Sequence, residues 1–203
     1  NPDIQRLREE YSRRADVAGS DDRYSNSNPA YQWMLVTRQQ AIKEFLECFG
    51  VSDLSKLRIL EIGCGSGGVL KEFIELGAEP SNTLGIDLLY DRLRIANVNL
   101  PNSFLAVADG QTLPFPSYSF DLIIQFTAFS SILDQSIKAA MAAEVMRVLK
   151  PGQGFLWYDF IWNPLNRQTR GIPLSEIRQL FPGTQRASRR ITLVPPLSRL
   201  LST

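Results

Sequence analysis

The chain has 203 residues, 44% of them hydrophobic and 21% charged, with a net charge of +1. This suits a domain of ordinary size with a full apolar core, and no apolar run approaches the about 18 residues of a membrane span. Histidine is absent, which excludes a Ser-His-Asp or Cys-His hydrolase and argues against a catalytic zinc or haem site.

Residues 3–15 read as a short charged helix, and 16–28, DVAGSDDRYSNSN, as a polar loop. The numbering starts without an initiator Met, so the chain is expected to begin inside a longer product. Asn28-Pro29 looks like an N-cap followed by a first helical residue. The helix after it carries Ile42, Phe45, Leu46 and Phe49 at helical spacing and stops at Gly50. Cys48 lies near its end. With Cys64 it is too little for a disulfide framework, and both read as reduced thiols of a cytoplasmic protein.

From there strand and helix alternate. Strands are expected at Arg58–Ile62, Thr83–Asp87, Phe104–Ala108, Phe120–Phe126, Gly154–Phe160 and Gln185–Val194. Helices are expected at Val69–Leu76, Tyr90–Asn99, Asp134–Leu149 and Pro173–Phe181. This order predicts an α/β fold with a doubly wound, mostly parallel sheet. The whole chain, 1–203, reads as one domain: an N-terminal helical cap over 1–57, a core over 58–160, and a loop with a last strand over 161–203.

The stretch LEIGCGSGG follows the first strand and opens a helix. Glycines there let a ligand approach backbone N–H groups. Gly63, Gly65 and Gly68 satisfy the dinucleotide spacing G-x-G-x-x-G, while Glu61, Gly63, Gly65 and Gly67 satisfy E-x-G-x-G-x-G. Asp87 ends the second strand, and Asp109 with Gly110 follows the third. Carboxyl ends of parallel strands are where such sheets bind ligands.

The run LEIGCGSGG, GIDL, ADGQTLPFPSYSFDLII and AAEVMRVLKPGQG resembles class I S-adenosylmethionine-dependent methyltransferases, of the methyltransferase type 11 domain group, over about residues 58–160. The resemblance implies S-adenosylmethionine as cofactor. It implies that Gly63, Cys64, Gly65 and Gly67 pass against its methionine part and that Glu61 supports the loop. Asp87 would hold the ribose hydroxyls and Leu88 would pack on the adenine. Asp109 would accept the adenine amino group, with Gly110 and Gln111 reading the ring edge. Gln125 and Phe126 would lie near the sulfonium. Tyr11, Tyr24 and Tyr31 belong to a segment that often lids the cofactor in similar enzymes, and Arg13 or Arg14 could reach an anionic group.

Without histidine a general base must be Asp, Glu or Tyr, and Asp159, at the end of the fifth strand in LWYDF, is the foremost candidate catalytic residue. The expected acceptor is a small molecule methylated at oxygen. Trp162, Asn163 and Arg167 of WNPLNRQTRG are candidate pocket linings. Residues 163–203 carry seven arginines and one acid, Glu176, which raises nucleic acid as an alternative partner. The missing N/D-P-P-Y/F run after the fourth strand, where FTAFS stands, weighs against a nucleic-acid methyltransferase, as does the near-neutral total charge. A non-catalytic cofactor-binding module is the other alternative. The fold normally closes with a seventh, antiparallel strand. Its absence after TLVPPLSRLLST would expose a sheet edge and favour a homodimer. No metal site is expected.

Overall fold

The structure is a computed structural model, and it describes residues 2–17, 28–162 and 168–191. The chain divides into two compact units, 1–52 with 184–203, and 53–183. These units cut across the segments 1–57, 58–160 and 161–203 of the sequence reading.

The first unit holds helices α1 (Pro2–Val17) and α2 (Pro29–Cys48). Asn28 caps α2 as its sequence suggests: its side-chain oxygen accepts the N–H of Tyr31 at 3.3 Å, and Pro29 takes the first turn. Ile42 and Leu46 of α2, four residues apart, are buried. Past the helix, Gly50 takes φ +72°, a conformation that favours glycine. Arg189 pairs with Glu44 in this unit.

The second unit is a five-stranded sheet of β1 (Ile59–Ile62), β2 (Thr83–Asp87), β3 (Phe104–Val107), β4 (Phe120–Phe126) and β5 (Leu149–Tyr158). Its order is β3-β2-β1-β4-β5, and every pairing is parallel. Parallel neighbours require crossovers. Helices α3 (Gly68–Glu75), α4 (Tyr90–Asn99) and α5 (Gln135–Val148) supply them between β1 and β2, β2 and β3, and β4 and β5. Helix α6 (Leu174–Leu180) follows β5.

Strands β1, β2 and β4 are buried on both faces, as their continuous apolar runs require. Ile59, Leu60, Leu70, Phe73, Phe120, Ile123 and Ile124 are fully enclosed, each contributing about 1.5–3 kcal/mol by burial. Register and alternation put Glu61, Gly85 and Asp87 on one face. Gly85 lies there against Leu70 of α3. Ile123, Gln125, Phe155, Trp157 and Asp159 share the other face. There Phe155 packs with Phe129 and Phe181, at ring-centre distances of 6.5 and 4.9 Å.

Lys138 of α5 is fully buried, and its ammonium donates to Glu176 of α6 at 2.7 Å. Gln135 adds a bond to the same oxygen at 3.0 Å, and Arg170 stands 3.6 Å from the other. Burial raises the Glu176 carboxyl, but the bonds from Lys138 and Gln135 and the nearby positive charges outweigh it, so the group is held below its usual range. This pair fixes the short α6 against α5.

The structure corrects three expectations. No strand forms over 185–191, while 192–194 fall outside the described residues. Ala187 and Ile191 are the only apolar residues from 185 to 191, too few for a buried face. Strand β5 begins at Leu149, not Gly154: Leu149 pairs with Phe120 and Gly154 with Leu122, and Lys150–Gln153 bulge between those pairs. Helix α5 therefore ends before Pro151-Gly152 rather than being closed by them. Helix α1 also runs through Asp16 and Val17, which the sequence assigned to a loop.

Candidate cofactor site

The glycine loop is built by two carboxylates. Glu61 lies in the middle of β1 and is almost wholly buried. Its Oε2 accepts the N–H of Leu70, in the first turn of α3, at 3.2 Å. The N-cap of α3 is Gly67, which has no side chain to do this. Glu61 thus supplies from the preceding strand the negative charge that a helix N-terminus favours.

Asp87 ends β2. Its Oδ2 accepts the N–H of Gly65 at 2.8 Å, and its Oδ1 accepts the N–H of Leu89 at 2.9 Å. The carbonyl of Ile86 accepts the N–H groups of Gly63 and Cys64 at 2.8 and 2.9 Å. The loop is therefore fixed to the end of β2 along its length. Gly67, with φ +83°, is pinned sterically as well: a Cβ there would lie 2.6 Å from Leu100, the residue that follows α4. The guanidinium of Arg92 lies over the Cα of Gly65.

The other strand ends join the same rim. The N–H of Ala108 donates to the carbonyl of Asp87 at 3.1 Å, setting Asp109 beside the end of β2. Oδ1 of Asp109 accepts the backbone N–H of Gln111 at 2.9 Å, and Oδ2 accepts its side-chain amide at 3.0 Å. A Cβ on Gly63 would lie 3.0 Å from Cβ of Ala128, so the turn after β4 borders the glycine loop. In that turn Thr127 takes φ +57°, strained for a β-branched residue. Its N–H donates to the carbonyl of Tyr158 at 2.8 Å, and its carbonyl accepts the hydroxyls of Ser130 and Ser131 at 3.3 and 3.2 Å.

Asp159 closes the rim at β5. Its Oδ2 accepts the N–H of Ser130 and its Oδ1 that of Phe160, each at 3.0 Å. Burial pushes its carboxyl up to about 6, although the Ser130 and Phe160 bonds and the nearby Trp157 indole favour the ionised form. The Trp157 N–H is buried and makes no hydrogen bond. A base with such a pKa works near neutral pH.

Gly63, Gly65, Gly67, Asp87, Asp109, Gly110 and Gln111 thus converge on one rim, with half-buried Leu88 beside them. Glu61 acts from beneath it. Cys64 contributes backbone only: its thiol is buried, with Gly85 of β2 beside it. Burial, with the negative charges of Glu61 and Asp87, pushes that thiol far up and keeps it protonated. Phe126 is buried and stacks on Tyr158 at 5.3 Å. Gln125 is 1% exposed, and neither polar atom of its amide has a partner. Leaving a buried polar group unsatisfied costs about 1–3 kcal/mol. Trp162 is exposed, while Asn163, Arg167 and Tyr24 lie outside the described residues. Arg13 is paired with Glu10 at 2.9 Å. The sequence reading missed Glu144 and Arg147 of α5, which hold the segment after β3. Their i,i+3 spacing in AAEVMRVL shows that they can pair with each other, but not what they hold.

Residues 59–152 match the family described as "Methyltransferase domain". The chain is 33% identical over 110 residues to a sterol 4-C-methyltransferase of Caenorhabditis elegans, covering 50% of this chain and 30% of that protein. It is 33% identical over 110 residues to a fatty-acid O-methyltransferase of Mycolicibacterium smegmatis, covering 53% and 39%. The PH0226 protein of Pyrococcus horikoshii OT3 shares the fold, with a TM-score of 0.65 at 18% identity over 81% of this chain and 87% of that one. The chain spans less than half the length of the curated relatives it matches. Among the described residues no helix is long and apolar enough to cross a membrane. Strands β1–β4 of the parallel sheet and the glycine loop pinned by Asp87 thus lie within the residues, 59–152, that match the methyltransferase-domain family.

Proposed function

We propose that the chain binds S-adenosylmethionine on this rim and transfers its methyl group to a hydroxyl oxygen of a small acceptor. The observation that carries the reading is the joining of Gly65, Asp87 and Asp109 at the ends of β1, β2 and β3. The residues fit the cofactor. Each Asp87 oxygen takes one backbone N–H and keeps capacity for one ribose hydroxyl. Asp109 keeps capacity for an exocyclic amino group, and the unpartnered amide of Gln125 suits a polar group at the end of β4.

When bound, S-adenosylmethionine supplies a methyl carbon activated by a positive sulfur. The chain's part is then mostly alignment. The glycine loop and Asp87 would hold and orient one partner. Asp159 would take the proton of the acceptor hydroxyl, because it lies on the β5 end of the same rim and is ionised for the most part at neutral pH.

The named substrates of the relatives, a sterol and a fatty acid, support a small apolar acceptor. The relatives are divided between carbon and oxygen, and the raised carboxyl of Asp159 is the feature that favours oxygen. The free cysteines, exposed Cys48 and buried Cys64, suit a reducing, cytoplasmic setting. The test is transfer from methyl-labelled S-adenosylmethionine to a panel of fatty acids, sterols and quinols. Labelled ether would support the reading, labelled fatty-acid ester would move transfer to a carboxylate that needs no base, label on carbon would overturn the oxygen assignment, and label on none of them would remove the acceptor class.

A further inference from the structure

Helix α5 carries Met141, Glu144 and Arg147 three residues apart, on one side. All three meet the segment between β3 and β4. A Cβ on Gly110 would lie 2.7 Å from Cε of Met141, so the backbone there rests on the helix. The N–H of Leu113 donates to Oε2 of Glu144 at 2.7 Å. Arg147 donates from Nη1 to the carbonyl of Phe115 at 2.8 Å and from Nη2 to the carbonyl of Leu113 at 3.0 Å. The two side chains are forked together, Nε to Oε1 at 2.6 Å and Nη2 to Oε2 at 2.7 Å. The bond from Arg147 holds the Glu144 carboxyl below its usual range, so the fork is charged at neutral pH.

The held segment starts at Asp109, whose carboxylate is closed on Gln111. It is therefore fixed at its head by its own side chains and at Leu113 and Phe115 by α5. Bidentate, charge-assisted bonds fix direction as well as distance. A fork spent on three backbone groups of a loop sets where that loop's N–H and carboxylate groups point.

We infer that Glu144 and Arg147 are positioning residues for nucleobase recognition, acting through Leu113 and Phe115 on Asp109–Gln111 so that the segment discriminates adenine from a 6-oxopurine. This rests on the cofactor reading above. The pair touches no ligand. It keeps Asp109 aimed as an acceptor for an amino group, a role a 6-oxo group cannot answer.

The test is calorimetric titration of the 203-residue chain with S-adenosylhomocysteine and S-inosylhomocysteine. The parent chain should prefer the adenosyl ligand by on the order of 10–10²-fold, the effect of losing one hydrogen bond to a charged acceptor. Arg147→Met and Glu144→Gln should each lower that preference by about fivefold or more, chiefly by weakening the adenosyl ligand. Arg147→Met variants that melt below the titration temperature leave the decision to Glu144→Gln, which keeps the side-chain shape. Equal weakening of both ligands, or an unchanged preference, would overturn the inference and leave the cofactor reading standing. Binding of neither ligand by the parent chain would overturn both.

Discussion

The backbone N–H of Gly65 donates to Oδ2 of Asp87 at 2.8 Å, joining residues 22 apart in sequence. The same carboxylate holds Leu89 with its other oxygen. Asp87 is therefore both the brace of the glycine loop and the proposed ribose acceptor. Asp87→Ala should weaken S-adenosylhomocysteine binding by about 1–3 kcal/mol and also lower the melting temperature, because two N–H groups lose their acceptor. A melting temperature equal to the parent's would contradict the bracing role, and an unchanged affinity would contradict the ribose role.

Glu61 acts one layer below. Glu61→Ala removes the acceptor for the first turn of α3 and leaves a buried N–H. Loss of stability by about 1–2 kcal/mol in urea titration is expected. Glu61→Gln keeps an acceptor oxygen and should recover part of the loss. No loss in the alanine variant would mean that α3 is capped by other means.

Lys138 and Glu176 form a buried pair whose partners are unequal when separated. Lys138→Met leaves the Glu176 carboxylate with only Gln135 and, at 3.6 Å, Arg170 and should cost about 1–3 kcal/mol. The double change Lys138→Met with Glu176→Leu should be milder than either single change. Additive losses in denaturant titration would contradict the pair as described.

The two thiols should differ sharply. Cys48 is exposed, while the Cys64 thiol is buried and pushed far above its usual value. Thiolates are the reactive form. Iodoacetamide at pH 8 should label Cys48 alone in the folded chain, with Cys64 labelled only in denaturant, as read by peptide mass spectrometry. Rapid native labelling of Cys64 would place its side chain on the rim instead.

The strands and the glycine loop were legible in the sequence because their information is local. Phe120–Phe126 reads as a buried strand from its own apolar run, and LEIGCGSGG reads as a ligand loop from its spacing. Long-range pairings were not legible. Lys138 on an amphipathic helix reads as a solvated charge, and its partner lies 38 residues on. Glu144 and Arg147 look like surface i,i+3 partners, and nothing local shows that they hold Leu113 and Phe115. Gln185–Ile191 has the length of a strand, but too few apolar side chains to be drawn into a sheet.

Asp159 gives a pH signature. Its folded pKa, about 6, lies above its ordinary value of about 3.8. The folded state then holds a proton that the unfolded state has released, so this group's contribution falls as pH rises from about 4 to about 6. The full effect is at most about 3 kcal/mol. Asp159→Asn should flatten the stability profile across that window, and a profile as steep as the parent's would show that Asp159 titrates elsewhere.

The cofactor claim is tested most directly by parallel calorimetric titrations with S-adenosylmethionine, S-adenosylhomocysteine and NAD. The rim built from Gly65, Asp87 and Asp109 predicts binding of the first two and none of NAD. Binding of NAD alone, or of none of the three, would contradict it.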